Sequence, residues 1–228
     1  MLPHGELERL ADNLYTVEGK LRMPLGETSR RMTVVRLQGN RLAIYSAIAL
    51  DDARMAKLES LGAPAFLIVP NALHRIDARP WQRRYPYIEV IAPHGAADKV
   101  SKVVPIDANQ ADFGDARVTL EPVLGTDQRE LAMMVETETG KTLVINDLIF
   151  NLPPRKGLMG FGMRVLGFGP GHPTIPRAVK RKLIADEWEV KTQLRDWAGL
   201  DGLERIVVSH GAPIENPRET LLELAGEA

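Results

Sequence analysis

The sequence predicts an α/β fold of four layers, an αββα sandwich in which two sheets pack face to face and helices cover their outer sides. Three observations carry this. The chain divides into two strand-rich halves, each followed by a helical pattern. Several strand-like runs are apolar throughout, as strands buried on both faces must be. There is no 20–50-residue repeat and no low-complexity tract.

Taken in order, Asn13 to Val17 reads as a short strand. Met32 to Leu37 and Leu42 to Ser46 flank Gln38-Gly39-Asn40-Arg41, the turn of a hairpin. Asp51-Asp52 can cap a helix carrying Met55, Leu58 and Leu61, which Gly62 stops. Ala65 to Val69 is a continuous apolar run that Pro70 ends. Residues 79–87 are rich in arginine and aromatic side chains, and Ile88 to Ala92 and Arg117 to Val123 are further strands. Leu131 to Glu136 and Thr142 to Ile145 flank residues 137–141, a second hairpin. The character changes at Asn151. Residues 157–171 hold six glycines, and one long helical pattern then runs from Pro176, in its first turn, to Trp197. Its apolar stripe is Val179, Leu183, Ile184, Leu194 and Trp197. Ile206 to Val208 is a last strand. Asn216-Pro217 opens a final helix with asparagine as its cap. Without a linker, the expectation is one domain over residues 1–228.

Of 228 residues, 44% are hydrophobic and 26% charged, which excludes a disordered chain. A net charge of −1 argues against whole-molecule attraction to nucleic acid or anionic lipid, while leaving room for a local basic patch. The absence of cysteine excludes disulfides, thiolate metal sites and cysteine nucleophiles. Met1-Leu2-Pro3-His4-Gly5-Glu6 lacks the basic and apolar regions of a secretory signal, and no run approaches a membrane span. The expected location is cytoplasmic, with no membrane partner. His4 and His94 read as surface residues.

Three apolar strands end the same way. Phe66-Leu67-Ile68-Val69 leads to Pro70-Asn71-Ala72-Leu73-His74, Leu143-Val144-Ile145 to Asn146-Asp147, and Ile206-Val207-Val208 to Ser209-His210-Gly211. Each puts a metal-capable side chain just past the C-terminal end of a buried strand, where open α/β sheets build sites. Two imidazoles and a carboxylate suffice for one divalent metal, zinc, iron or manganese, with positions left for water or substrate. Singly, each has an ordinary reading: a histidine bonded to backbone, or an aspartate capping a turn. Their shared placement selects His74, Asp147 and His210 as candidate ligands, with Asn71, Asn146, Thr126 and His172 as candidate lining.

At these residues the chain resembles the metallo-β-lactamase-fold superfamily, in a divergent branch of no assigned function whose metal motif is degenerate. Asn13 to Val17 resembles the opening strand, Arg41 to Ser46 the strand that ends in an aspartate (here Ser46 stands near that place), Gly140 to Phe150 the strand before the metal-bridging aspartate, and Val208-Ser209-His210-Gly211 the late histidine-glycine element. The family's H-x-H-x-D-H falls on Val69 to His74, where only His74 survives. The mid-chain histidine of a Gly-His-Thr element would fall near Leu124-Gly125-Thr126, which has none. Gly171-His172-Pro173-Thr174 mimics that element, but after Asp147. The resemblance therefore implies loss of the three-histidine position and survival of His74, Asp147 and His210 from the other.

The implied function is a single-metal, weak or specialised hydrolase of esters, thioesters or lactones, with no catalytic group beyond a metal-bound water and a small molecule as substrate. The alternatives are a non-catalytic binding or scaffold protein and a nucleic-acid-interacting relative. For the last, Arg79-Pro80-Trp81-Gln82-Arg83-Arg84-Tyr85 has the right cations and rings. A surface segment with Trp81 tucked in is the simpler reading, so nucleic acid is not an expected partner. The segment from Gly157 to Gly171 lacks the Gly-Lys-Ser/Thr of a phosphate loop. Phe161, Met163, Val165, Leu166 and Phe168 make it apolar: a lid, a homodimer contact or a packed connector. Lys180, Arg181 and Lys182 read as a solvated helix face.

Overall fold

The computed structural model describes residues 3–23, 26–165 and 167–227. Met1, Leu2 and Leu166, which entered the readings above, lie outside them. Six strands form one sheet: β1 (His4–Arg9), β2 (Leu14–Met23), β3 (Gly26–Leu37), β4 (Arg41–Tyr45), β5 (Ala63–Ile68) and β6 (Glu89–Ile91), in that order. The first four are antiparallel neighbours, and β4, β5 and β6 run parallel. The second sheet has the order β10-β9-β8-β7, from β7 (Val118–Pro122), β8 (Leu131–Glu136), β9 (Lys141–Asn151) and β10 (Leu203–Gly211).

The apolar runs pack in the pattern their alternation dictates. Tyr45, Phe66 and Ile68 from the first sheet meet Leu131, Met133, Val144 and Val207 from the second. The opposite faces carry Leu42, Ile44 and Leu67 on one side and Leu143, Ile145 and Val208 on the other. Helices cover both. On the first sheet lie α1 (Asp52–Glu59), through Met55 and Leu58, and α2 (Ala78–Arg84), through Trp81, followed by α3 (Ala97–Val100). On the second lie α5 (Arg177–Leu183), α6 (Glu187–Ala198) and α7 (Pro217–Ala225). The four-layer sandwich is the observed architecture.

Several elements depart from expectation for identifiable reasons. The long helix is two helices. Asp186 caps α6 by accepting from Trp188 N and Glu189 N, while Ala185 N and Asp186 N donate to Gly125 O, so the backbone leaves the helix at Ile184. Pro176 precedes α5 as its cap residue. Asn216 precedes α7 but makes no side-chain capping bond. The glycine-rich stretch contains a helix, α4 (Gly157–Val165). His4 is not a surface residue: its side chain is 6% exposed, and Nε2 accepts from Asp51 N at 3.1 Å. His94 is exposed. Trp81 is core, its indole N–H donating to Ile48 O at 2.9 Å, which removes the ring from the proposed base-stacking segment.

Candidate metal centre

Where β10 pairs with β9, Val208 lies opposite Ile145 but His210 lies opposite Phe150. Two steps on β10 thus match five on β9, and residues 146–149 leave the ladder as a wide bulge. Asp147 sits in that bulge and His210 in the strand beside it. The sequence put all three candidate ligands past strand ends. Only His74, in the loop after β5, lies there; Asp147 lies within β9, in its bulge, and His210 within β10.

These three side chains converge. His74 Nε2 and His210 Nε2 stand 3.3 Å and 3.1 Å from Asp147 Oδ1, and 3.3 Å from each other. They form a His/Asp/His group able to hold a metal ion. His74 and His210 keep 10% and 9% of their side-chain surface, and Asp147 keeps 6%.

Each donor is fixed from behind. Asn71 Oδ1 accepts from Leu73 N (2.8 Å) and His74 N (3.3 Å), which folds the loop that aims His74. Ser46, at a left-handed φ of +58°, brings its hydroxyl to 2.7 Å from His74 Nδ1. His210 Nδ1 donates to Ser29 O at 2.6 Å. The His210 ring also stacks on Phe150, centroids 4.5 Å apart at 26°. A neutral His210 bonded in this way carries its lone pair on Nε2, toward Asp147.

Asn71 Nδ2 donates to Asp147 Oδ2 (2.8 Å) and Glu130 Oε2 (3.1 Å). Glu130, fully buried, also accepts from the bulge amides Asp147 N (3.1 Å) and Leu148 N (3.0 Å). Burial, then the nearby Asp147 charge, pushes its carboxyl up to about 8. For Asp147 burial acts in the same direction, but the imidazoles of His74 and His210 outweigh it and hold the carboxyl well below its usual range. Tyr45 donates to Leu131 O at 2.7 Å and is kept a phenol by burial and by the Glu130 and Asp147 charges.

Glu130 escaped the sequence reading because Asp127-Gln128-Arg129-Glu130 looks like an exposed charged turn. The signal was the apolar strand that begins at Leu131. Of the candidate lining residues, Asn71 touches Asp147 directly. Asn146 pairs with Ser209. Thr126 is buried and donates to Val123 O at 2.7 Å, within its own turn. His172 is exposed, 3.1 Å from its neighbour's carbonyl at Pro173, and outside the His/Asp/His group. A cavity of about 490 Å³ adjoins the centre through Ser29 and Gly211 and is also lined by Glu18, Lys20 and Asn151; none of the three candidate ligands lines it.

No protein-family model matches the chain, and no curated protein matches it in sequence. Solved structures do. The metallo-β-lactamase FIM-1 from Pseudomonas aeruginosa, in its mono-zinc form, is 14% identical with a TM-score of 0.64, covering 99% of this chain and 96% of that one. A metallo-β-lactamase from Hirschia baltica is 15% identical with a TM-score of 0.62 over 99% and 97% of the two chains. The flavodiiron core of Flv1 from Synechocystis sp. PCC6803 is 13% identical with a TM-score of 0.66 over 99% of this chain and 60% of that one.

The chain has the metallo-β-lactamase fold. Within that fold, the segment resembling H-x-H-x-D-H carries Val69, buried, and Leu73, 62% exposed, at positions where donors are expected. Asn71 donates through Nδ2 to Asp147 and Glu130 and accepts through Oδ1 from the amides of Leu73 and His74. Gly125, in the Leu124-Gly125-Thr126 element, is the backbone acceptor that breaks α5 from α6.

Proposed function

We propose that the protein is a hydrolase that works with a single divalent cation, zinc, iron or manganese, held by His74, Asp147 and His210, on a small ester, thioester or lactone. The donor triangle supports this most directly. Its edges are 3.1–3.3 Å. Ligands about 2.0–2.1 Å from a tetrahedral zinc stand roughly 3.3–3.4 Å apart. Three lone-pair-bearing atoms at such separations repel unless positive charge sits among them, either protons on the imidazoles or one metal ion.

A cation bound there would supply Lewis acidity toward water and toward a carbonyl or phosphoryl oxygen. The chain's residues would do the rest. Ser46 and Ser29 orient the imidazoles, and Asn71 orients the carboxylate. Glu130 holds the bulge with both oxygens engaged, so it is not free to act as a base. Leu73, exposed and one residue before His74, is an apolar side chain at the position where the resemblance expects a carboxylate that could orient water, which favours activated, partly apolar substrates.

The test is elemental analysis of protein purified without a histidine tag, then turnover on an ester, thioester, lactone and phosphodiester panel with each metal. One equivalent of metal with metal-dependent turnover is expected. Metal without turnover would favour a binding or scaffold protein. No uptake of any of the three metals would overturn the site itself.

A further inference from the structure

From Leu148 to Ala185 the chain has seven lysines and arginines and no aspartate or glutamate, in a protein of net charge −1. The whole-molecule balance therefore conceals a segregated basic region. Lys156, Arg164, Arg177, Lys180, Arg181 and Lys182 are exposed, and among the described residues none has an acidic partner in an ion pair.

Within this region lies α4, which turns apolar side chains outward. Phe161 is 65% and Val165 58% exposed. Cations flank it on both sides along the chain, and one of them also folds back beside it. Lys156 precedes the helix, Arg164 lies in its last turn, and the Arg177 side chain lies over the following loop, its Cγ 2.6 Å from where a Cβ on Gly167 would stand. Lys180, Arg181 and Lys182 continue along α5. In the same loop, Phe168 packs on Phe150 with centroids 5.8 Å apart, and Phe150 stacks on His210.

We propose that α4 and the start of α5 form a docking surface for an anionic phospholipid bilayer. A helix that exposes Phe161 and Val165 and is flanked by cations without acidic partners matches an interface whose surface is negative and whose interior is apolar. A nucleic-acid groove would need exposed rings for stacking, and here Phe161 is accompanied by aliphatic Val165. A dimer contact would bring the two sets of cations together. The surface adjoins the candidate metal centre through two aromatic contacts, so a docked protein would hold that centre close to the lipid. Among the described residues no helix is long and apolar enough to cross a membrane, so what is proposed is docking and not a span.

The experiment is co-sedimentation of the full chain with vesicles of phosphatidylcholine alone and of phosphatidylcholine with 30% phosphatidylglycerol. Binding to the anionic vesicles at least ten-fold stronger than to the neutral ones is expected. Half-molar salt should weaken it. Each cation neutralised among Lys180, Arg181 and Lys182 should lower the partition coefficient about five-fold. F161D with V165D should abolish binding while leaving the far-ultraviolet spectrum and metal uptake unchanged. If that pair fails to fold, the salt series and the variants at Lys180, Arg181 and Lys182 decide alone. The proposal is overturned by equal binding to both vesicles, by no binding to either, or by variants that bind as the parent does. It is also overturned by salt-sensitive binding to single-stranded RNA without vesicle binding, or by a solution dimer that F161D dissociates.

Discussion

The guanidinium of Arg31 on β3 donates to the carbonyl of Gly211, the residue after His210, across 3.0 Å. One buried cation thus clamps the middle of the six-stranded sheet to the edge strand of the other. It also donates to Thr16 Oγ1 and Glu18 Oε2. Because Glu18 is half exposed, removing the cation would not strand its charge. In Arg31→Met the cost should come from the unpaired Gly211 carbonyl and Thr16 hydroxyl, about 1–3 kcal/mol by urea unfolding. A loss above about 4 kcal/mol would mean that the ion pair with Glu18 matters more than its exposure suggests.

Asn71 is the joint between the His74 loop and the β9 bulge. Asn71→Leu takes the shared donor from Asp147 and Glu130 and the acceptor from two loop amides, and should cost about 2–4 kcal/mol. Glu130→Gln, which keeps the size and one acceptor oxygen, should cost less. Urea midpoints of the two variants in metal-free buffer would check the order; a reversed order would place the joint at Glu130.

Ser46 is predicted to matter for affinity and little for stability. Its hydroxyl orients His74 from outside the donor triangle. Ser46→Ala should weaken metal binding about 10–100-fold and move the unfolding free energy by less than about 1 kcal/mol. Competition with a chromophoric chelator measures the first, and urea unfolding the second. Unchanged affinity would remove Ser46 from the site.

Gly211 is expected to be intolerant of any side chain. Its φ is +110°, and a Cβ there would stand 1.8 Å from the Asn151 carbonyl oxygen, a backbone atom that cannot step aside. Gly211→Ala should destabilise the protein by more than about 3 kcal/mol, seen as a large fall in thermal midpoint or as insoluble expression. A midpoint within a few degrees of the parent's would contradict it.

Acid sensitivity has a traceable source away from the centre. Asp115 accepts from Arg117 Nη2 at 2.8 Å and from Gln38 N at 2.9 Å. The Arg117 side chain, followed by the backbone amides of Gln38 and Arg117, lowers its carboxyl from 3.8 to about 2 against the opposing effect of burial. A carboxyl depressed on folding stabilises above its unfolded value, and that stability is lost as pH falls from 3.8 to about 2. Arg117 is partly exposed, so screening reduces the effect to on the order of 1 kcal/mol. The difference between parent and Asp115→Asn should therefore shrink across that window. A constant difference would assign the effect to lost hydrogen bonds alone.

The legible parts of the molecule were those with local causes. Alternation and apolar runs located β3, β4, β5, β8 and β9, and the Asp51 cap and Gly62 located α1. The ligand candidates were visible because each follows an apolar strand core, and they do meet. What stayed hidden depends on distant partners. β1 has only one buried residue, Leu7, and is a strand because β2 pairs with it. Ser29 serves His210 through its backbone, which no side-chain pattern reveals. The break between α5 and α6 depends on Gly125, some sixty positions earlier. Arg31 and Glu130 are charged residues in polar surroundings along the chain, buried only because their partners arrive from elsewhere.

The β9 bulge has one more consequence. Residues that leave a ladder must find new acceptors for their amides, and here Glu130, which is not among the candidate ligands, takes two of them. The amides that flank Asp147 are therefore held by the protein itself, through a residue outside the His/Asp/His group. Chelation should strip the centre without unravelling the strand, and returned metal should refill it at once, with no slow refolding phase between the two states.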